Sequence, residues 1–420
     1  MENLSRRKFI KSSAIVTSGV GVLPNSLTIL KKGRALGAND RIRIGIIGCG
    51  SRGNNVFMDG VYKHADKMNV EIVALCDPWR IAREEANQKV KKWFGRDARQ
   101  IVSSRELFEL DNIDAVMIAS PDHLHTTHLE AAARARKHIY VEKPLAMDVD
   151  RLIRAVDAVD EAGVVVQVGT QLRSYPGIMG TRELFRQGKL GKLSRIEECR
   201  NSKRPYWYNY LRDVKAEDVD WKEFLGDRPF RPFRSDLYSA WYGYYDFSHG
   251  PIPNLGAHFI DIVHFVTGAK FPESCVCLGG TFTWKDEHEF TAPDCIQATW
   301  IYPEGFLVSS SNNLGNGKGS VRNFYGDKGS LNMTNWGSPT YSDEDSPRPD
   351  GTINGEKPVV KVEGPDHFLD WLQCIRNGQK TIAPIEAGYQ HAVAVLMAMK
   401  SYETGRKTIY DSKKRKILSV

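Results

Sequence analysis

Three absences narrow the reading before any motif is considered. The seven cysteines (Cys49, Cys76, Cys199, Cys275, Cys277, Cys295 and Cys374) are odd in number and form no Cys-x-x-Cys pair, which excludes a disulfide scaffold and a zinc ribbon. Cys275 and Cys277 stand two apart in a strand-like run, so they share a face and do not pair easily; buried free thiols are expected. No run approaches the ~18 consecutive apolar residues of a membrane span, so no span is expected in the mature protein. Charge of one sign is also missing. The chain has 58 Lys and Arg against 51 Asp and Glu, but seven of those bases and one acid, Glu2, fall within residues 1–37. The remainder is within one charge of neutral and carries no electrostatic footprint for nucleic acid. What is left is 420 residues of ordinary globular composition, 41% hydrophobic, enough for two or three domains with proper cores.

The basic N-terminus reads as an address. Ser5-Arg6-Arg7-Lys8-Phe9-Ile10-Lys11 precedes a weakly apolar stretch diluted by Gly and Ser. It resembles a twin-arginine export signal. Ala35-Leu36-Gly37 offers small residues for cleavage near Gly37, so residues 1–37 are expected to be a signal peptide and the protein to be exported folded to the periplasm. Lys31, Lys32 and Arg34 are untypical there and leave an uncleaved anchor open.

From residue 38 the pattern alternates strand and helix. The β-branched run Arg41 to Ile47 leads into Gly48-Cys49-Gly50-Ser51-Arg52-Gly53, then a helical stretch from Asn54 to about Lys67. A second strand, Val70 to Cys76, follows and ends in Asp77. Strand, glycine turn, helix, strand and acid in this order form the dinucleotide fingerprint. Gly48 permits the tight turn, Gly50 lets backbone N–H groups approach a pyrophosphate, and Gly53 lets helix and strand pack closely. The helix N-terminus that follows adds its unpaired N–H groups and positive dipole end, and Ser51 and Arg52 of the loop are also placed at the cofactor. Asp77, 24 residues after Gly53, suits the adenosine ribose hydroxyls and argues for NAD, because it repels a 2′-phosphate. Arg80 and Arg52 could soften that repulsion, so NADP stays open.

Helices at 82–93, 126–135 and 149–162 and strands at 113–119, 138–141 and 164–168 continue the alternation. They predict an α/β N-terminal domain, residues 38–170, built on a doubly wound parallel sheet of about six strands. Ligands bind at the carboxyl ends of such strands. The polar clusters there are Ser120-Pro121-Asp122-His123-Leu124-His125, Glu142-Lys143-Pro144 and Gly169-Thr170-Gln171. His123, His125 and His128 raise a metal site, but no His-Glu-x-x-His accompanies them and none is expected.

Beyond Gln171 short alternating strands dominate, at 193–199, 275–282, 296–302 and 306–311, with helices at 365–376 and 386–404. Residues 171–420 therefore read as an α+β domain with a large, mostly antiparallel sheet. Tyr341 to Pro358 reads as a surface loop. The aromatic segments Tyr206-Trp207-Tyr208 and Trp241-Tyr242-Gly243-Tyr244-Tyr245 fit either core packing or a wall for sugar rings; Tyr245 is taken as a substrate contact.

The fingerprint, the S-P-D-x-x-H segment at 120–125, Glu142-Lys143-Pro144 and Asn254-Leu255-Gly256-Ala257-His258-Phe259-Ile260-Asp261 together resemble the Gfo/Idh/MocA family of nicotinamide-dependent sugar and cyclitol oxidoreductases. The resemblance implies that Lys143 touches the reacting hydroxyl, that His258 is the acid/base, and that Asp261 binds substrate. It places Ser120, Asp122, His125, Glu142 and Gln171 at the cofactor. Many relatives carry Asp four residues before the His; Asn254 stands here, able to orient the ring or contact substrate but unable to pair with it as an anion. The chemistry is coherent, since oxidising a secondary alcohol needs a base poised near neutrality and a cation for the developing alkoxide. The resemblance further implies a homo-oligomer, dimer or tetramer, and a tightly held cofactor recycled by a second substrate. Two other readings stand beside it: a redox-neutral NAD-dependent glycosidase, and a non-catalytic sugar-binding protein that keeps its nucleotide.

Overall fold

In the computed structural model the described residues are 37, 40–349, 351 and 355–420. The export signal expected at 1–37 therefore lies outside them, Gly37 apart. Six parallel strands, β1 (Ile42–Ile47), β2 (Val70–Cys76), β3 (Arg99–Ile101), β4 (Ala115–Ile118), β5 (His138–Val141) and β6 (Val166–Val168), form one sheet in the order β3-β2-β1-β4-β5-β6. β1 lies at its centre, with Ile47 registered against Cys76 on one side and Ile118 on the other. Its run of isoleucines suits a strand covered on both faces. The sixth strand, β3, escapes the sequence because it is three residues long and two of them are exposed. The helix expected from Asn54 to Lys67 is broken: Gly53–Met58 is a wide π-type turn, Asp59–Tyr62 follows, and Ala65–Met68 restarts after His64.

The second sheet has ten strands. It comprises β7 (Leu193–Asn201), β8 (Ser274–Gly280), β9 (Cys295–Tyr302), β10 (Phe306–Asn313), β11 (Val321–Gly326), β12 (Ser330–Asn332), β13 (Thr340–Ser342), β14 (Lys357–Pro358), β15 (Thr408–Asp411) and β16 (Lys416–Ser419). Their order is β14-β13-β12-β11-β7-β10-β9-β8-β15-β16, antiparallel except where β7 meets β10. The expected loop at 341–358 is thus pinned at both ends, by β13 and β14. One face of the sheet is covered by the helices Ala257–Thr267 and Ile385–Thr404; the latter is closed by Gly405 in the left-handed region, φ +65°, as a C-terminal glycine should be.

One helix crosses between the layers. His367–Asn377, far along the chain, packs on the first sheet, where Phe368 stacks on Tyr140 at 5.2 Å and Trp371 meets the same ring edge-on. Gln167 Nε2 donates to the His367 carbonyl (2.8 Å), and Asp366 caps the helix by accepting from Phe368 and Leu369 N–H. A third, aromatic core is separate: Trp207, Trp221, Phe224, Leu225, Phe247 and Phe290 hold the excursion between β7 and the helix Ala257–Thr267. No helix of the described residues is long and apolar enough to cross a membrane.

Candidate active site

The carboxyl ends of β1, β2, β4 and β5 open onto a cavity of about 390 Å³. Its floor is the glycine loop. Gly48 has φ +89°, and a Cβ there would lie 2.4 Å from the Ala119 carbonyl oxygen; one on Gly53 would lie 1.8 Å from the Gly48 oxygen. Only glycine allows this fold of the loop onto the helix start. A Cβ on Gly50, by contrast, would meet no atom within 4 Å, and Gly50 lines the cavity. The loop thus leaves open the space in which a pyrophosphate would approach backbone N–H groups.

Asp77 closes one end of this floor. Its Oδ2 accepts from Cys49 N–H (2.7 Å) and its Oδ1 from Trp79 N–H (2.8 Å). Burial raises its pKa, against the lowering effect of those two N–H groups and of Arg83. These residues fit the adenosine end of a nicotinamide dinucleotide. Arg52 lines the cavity and is held by Glu142 Oε1 at 2.6 Å. Gln171 donates to the same oxygen (3.1 Å) and to Tyr140 Oη (2.9 Å). Gln171 is not on the cavity wall and buttresses Glu142 from behind it.

The histidine cluster divides by partner. His125 is buried with Nδ1 against the Pro144 carbonyl (2.7 Å) and Nε2 against the Ser120 carbonyl (2.8 Å). It thereby ties the Ser120 segment to the turn that carries Lys143. His128 pairs with Ser120 Oγ (2.9 Å) and His123 with the Phe224 carbonyl (2.9 Å). Burial pushes both of these rings down to about 3. Among the described residues no group of three His, Cys, Asp or Glu is placed to hold a metal.

Lys143, Asn254 and His258 do come together on the cavity wall. Lys143 Nζ donates to the Asn254 carbonyl at 2.9 Å, which staples the E-K-P turn to the helical turn bearing His258. Asp122 faces the same group; it accepts from Ser248 Oγ (2.7 Å) and is buried, which raises its pKa against the lowering effect of His125, Lys143 and Asn254. Burial lowers the Lys143 pKa from its ordinary value, with Glu142 and Asp122 opposing. Burial, with the cations Lys143, Arg52 and Arg200, holds His258 well below its ordinary value. Its Nδ1 is buried without a partner, leaving Nε2 as the ring nitrogen open to the cavity.

Two expected substrate contacts lie elsewhere. Asp261 is buried away from the cavity, with both oxygens engaged by Arg173 (2.7 and 2.8 Å) and His391 Nδ1 3.5 Å away. Burial would raise its pKa, but Arg173 and His391 outweigh that and hold the carboxyl below the usual range. Asp261 shares a helix side with His258 but lies almost a turn further on, where Arg173 takes it up in the helix-packing interior. Tyr245 donates to Glu403 (2.8 Å), packs beside His249 and is also absent from the cavity wall. The aromatic segments are split: Tyr206, Trp241 and Tyr242 line the cavity, whereas Trp207 and Tyr244 belong to the third core. Because Asp261 is sealed, Arg173→Ala should cost about 3–5 kcal/mol of stability by stranding a buried carboxylate. Chemical denaturation checks this; a loss under about 1 kcal/mol would show the pair to be dispensable.

Residues that no local motif announces complete the wall: Trp79, Val102, Tyr210, Arg212, Phe224 and Tyr238. Apart from Trp79, two residues past Asp77, they come from distant stretches and carry no sequence signal.

Residues 42–170 match the profile described as "Oxidoreductase family, NAD-binding Rossmann fold", and 182–409 match "Oxidoreductase family, C-terminal alpha/beta domain". The chain belongs to the Gfo/Idh/MocA oxidoreductase family. Among curated relatives, 2,7-anhydro-N-acetylneuraminate hydratase of Escherichia coli is 26% identical over 197 residues, 47% of this chain and 45% of that protein. Myo-inositol 2-dehydrogenase of Thermotoga maritima is 25% identical over 191 residues, 44% and 54% of the two chains. The chain thus spans about half the length of these relatives. A solved structure, the WlbA dehydrogenase from Bordetella pertussis in complex with NADH and UDP-GlcNAcA, superposes with TM-score 0.65 at 21% identity, covering 89% of this chain and 99% of that one. That likeness shows a shared fold.

Proposed function

We propose that this oxidoreductase moves a hydride to or from a secondary hydroxyl carbon of a sugar, glycoside or cyclitol, using NAD. The observation that carries the reading is the placement of His258 and of Lys143 Nζ, which donates to the Asn254 carbonyl, together on the wall of the cavity floored by the glycine loop. A bound dinucleotide supplies the hydride acceptor or donor. His258 Nε2 takes the hydroxyl proton in the oxidation direction and returns it in the other. Lys143 Nζ holds the oxygen as it gains negative charge. Asp122, bonded to the Asn254 side chain and facing Lys143, keeps the lysine oriented. A panel of sugars and cyclitols, scored by the absorbance of reduced nicotinamide, tests this; no turnover with any of them, in either direction, would overturn it.

NAD is favoured over NADP because Asp77 repels a 2′-phosphate and two of the cations that could offset it, Arg80 and Arg52, are engaged elsewhere. Arg80 pairs with Glu84 (2.7 Å) and Asp218 (2.6 Å), and Arg52 with Glu142. Asp77→Ser should raise the Kd for NAD about tenfold and narrow its margin over NADP, as loss of a ribose contact worth about 1.4 kcal/mol would. Titration with both nucleotides checks it; an unchanged NAD:NADP ratio would count against the role of Asp77.

The likeness to a hydratase favours one variation, redox-neutral chemistry. Oxidation at one carbon acidifies the neighbouring C–H and lets a glycosidic bond eliminate, after which the hydride is returned. Product release without a net nicotinamide signal would distinguish it. We also propose folded export to the periplasm, from Arg6 and Arg7, and self-association through the outer face of the ten-stranded sheet, where Val276, Leu278 and Ile301 are exposed. Cell fractionation and light scattering test these two readings. A protein confined to the cytoplasm would overturn the first, and a monomer the second.

A further inference from the structure

The adenosine end of the cleft has a roof, and the roof belongs to the second half of the chain. Tyr206, Tyr210, Arg212, Phe224, Tyr238 and Trp241 all line the cavity that the glycine loop and Asp77 floor. Tyr238 Oη stands 3.5 Å from Asp77 Oδ1, and the Tyr238 ring meets Trp79 edge-on at 6.0 Å. The Arg212 guanidinium lies 5.6 Å over the Trp79 ring. Trp79 Nε1 is buried with no hydrogen-bond partner, a donor left over beside the place where a nucleotide's ribose and base would sit.

The roof is tied down at its edge. Asp220 N–H donates to the Pro78 carbonyl (3.0 Å), Val219 makes a backbone bridge to Trp79, and Asp218 pairs with Arg80. Ser104 N–H donates to Glu223 Oε1 (3.0 Å) across the far side of the slot. These are links between the roof and the loops after β2 and β3. The roof's aromatic core is shared with Phe247, Phe290 and Leu314, outside 206–241, which root the panel at one side and hold its residues together as one unit.

We propose that the 206–241 panel is a clamp that makes the dinucleotide a resident group. On this reading Trp79, Arg212 and Tyr238 hold the adenosine half, and the nucleotide enters or leaves only when the panel lifts. Aromatic faces and a guanidinium suit a purine base, and a closing element sets the rate of release. The inference rests on the cleft being a dinucleotide site.

The test separates the two ideas. Purified full-length protein is loaded with radiolabelled NAD⁺ and chased with excess unlabelled NAD⁺; binding and release rates are measured for wild type, Tyr238→Ala, Arg212→Ala and Asp218→Ala. The first two should release label about tenfold faster or more. Asp218 is not on the cavity wall, so Asp218→Ala should speed entry and release alike, by a few-fold, with little change in Kd. A residue that merely stabilised the bound state would change release alone. Rapid exchange in the wild type, or equal rates in all four proteins, would overturn the clamp and leave the oxidoreductase reading intact. No bound label in any of them, with no unlabelled nucleotide released on denaturation, would overturn both. Melting curves of the nucleotide-free variants identify any that fail to fold, and Tyr238→Phe and Arg212→Lys then replace them.

Discussion

Lys143→Ala should lower kcat and kcat/KM together by about 10²–10³, or about 2.7–4 kcal/mol of transition-state stabilisation. The lysine sits in a desolvated wall with its charge faced by Glu142 and Asp122, so its field on a developing alkoxide is little screened by water. Affinity for the dinucleotide should change far less, because the nucleotide floor is built from the Gly48–Gly53 loop and Asp77. Steady-state kinetics with a nucleotide titration measure both. A variant of normal activity would break the proposed mechanism, whereas a wild type that binds sugar and nucleotide without turnover would favour a non-catalytic sugar-binding role. Lys143→Arg keeps the charge but not the compact ammonium, and should restore only part of the rate.

His258→Asn should be comparably severe, about 10²–10⁴ in kcat, the usual weight of a general base. Its pH profile is the sharper readout. Burial and three neighbouring cations lower its pKa, so the ring stays neutral to a lower pH than an unshifted histidine. In the oxidation direction the acid limb of kcat/KM should therefore fall below the ordinary value of about 6.5. Lys143 is shifted the same way; its protonated form is the useful one, so the alkaline limb should begin below about 10.4. A wild-type acid limb at or above the ordinary histidine value, or one that persists unchanged in His258→Asn, would remove His258 from the base role.

The parts legible in the sequence were those that depend on near neighbours. The glycine loop and Asp77 could be placed because the strand–turn–helix–strand order dictates where they meet, and Lys143 because a strand's carboxyl end points it at the cleft. Asp261 could not be placed, because its fate turned on Arg173, 88 residues away in the chain. Nor could Tyr245, whose partner Glu403 is 158 residues distant. The roof was invisible for the same reason. Its aromatics could be seen, but nothing local says that Tyr238 reaches Asp77 while Trp207, equally aromatic, turns into its own core.

The helix His367–Asn377 makes the nucleotide-binding half dependent on the chain's far end. Trp371, Leu372 and Ile375 are buried in the same cluster as Phe57, Ile46 and Tyr140, so a fragment ending near residue 170 would bare an apolar face that the intact chain seals. The two sequence halves are therefore not exchangeable cassettes. A chimera that grafts this first half onto a different substrate-binding partner would have to import the crossing helix with it, or find another surface to cover Tyr140.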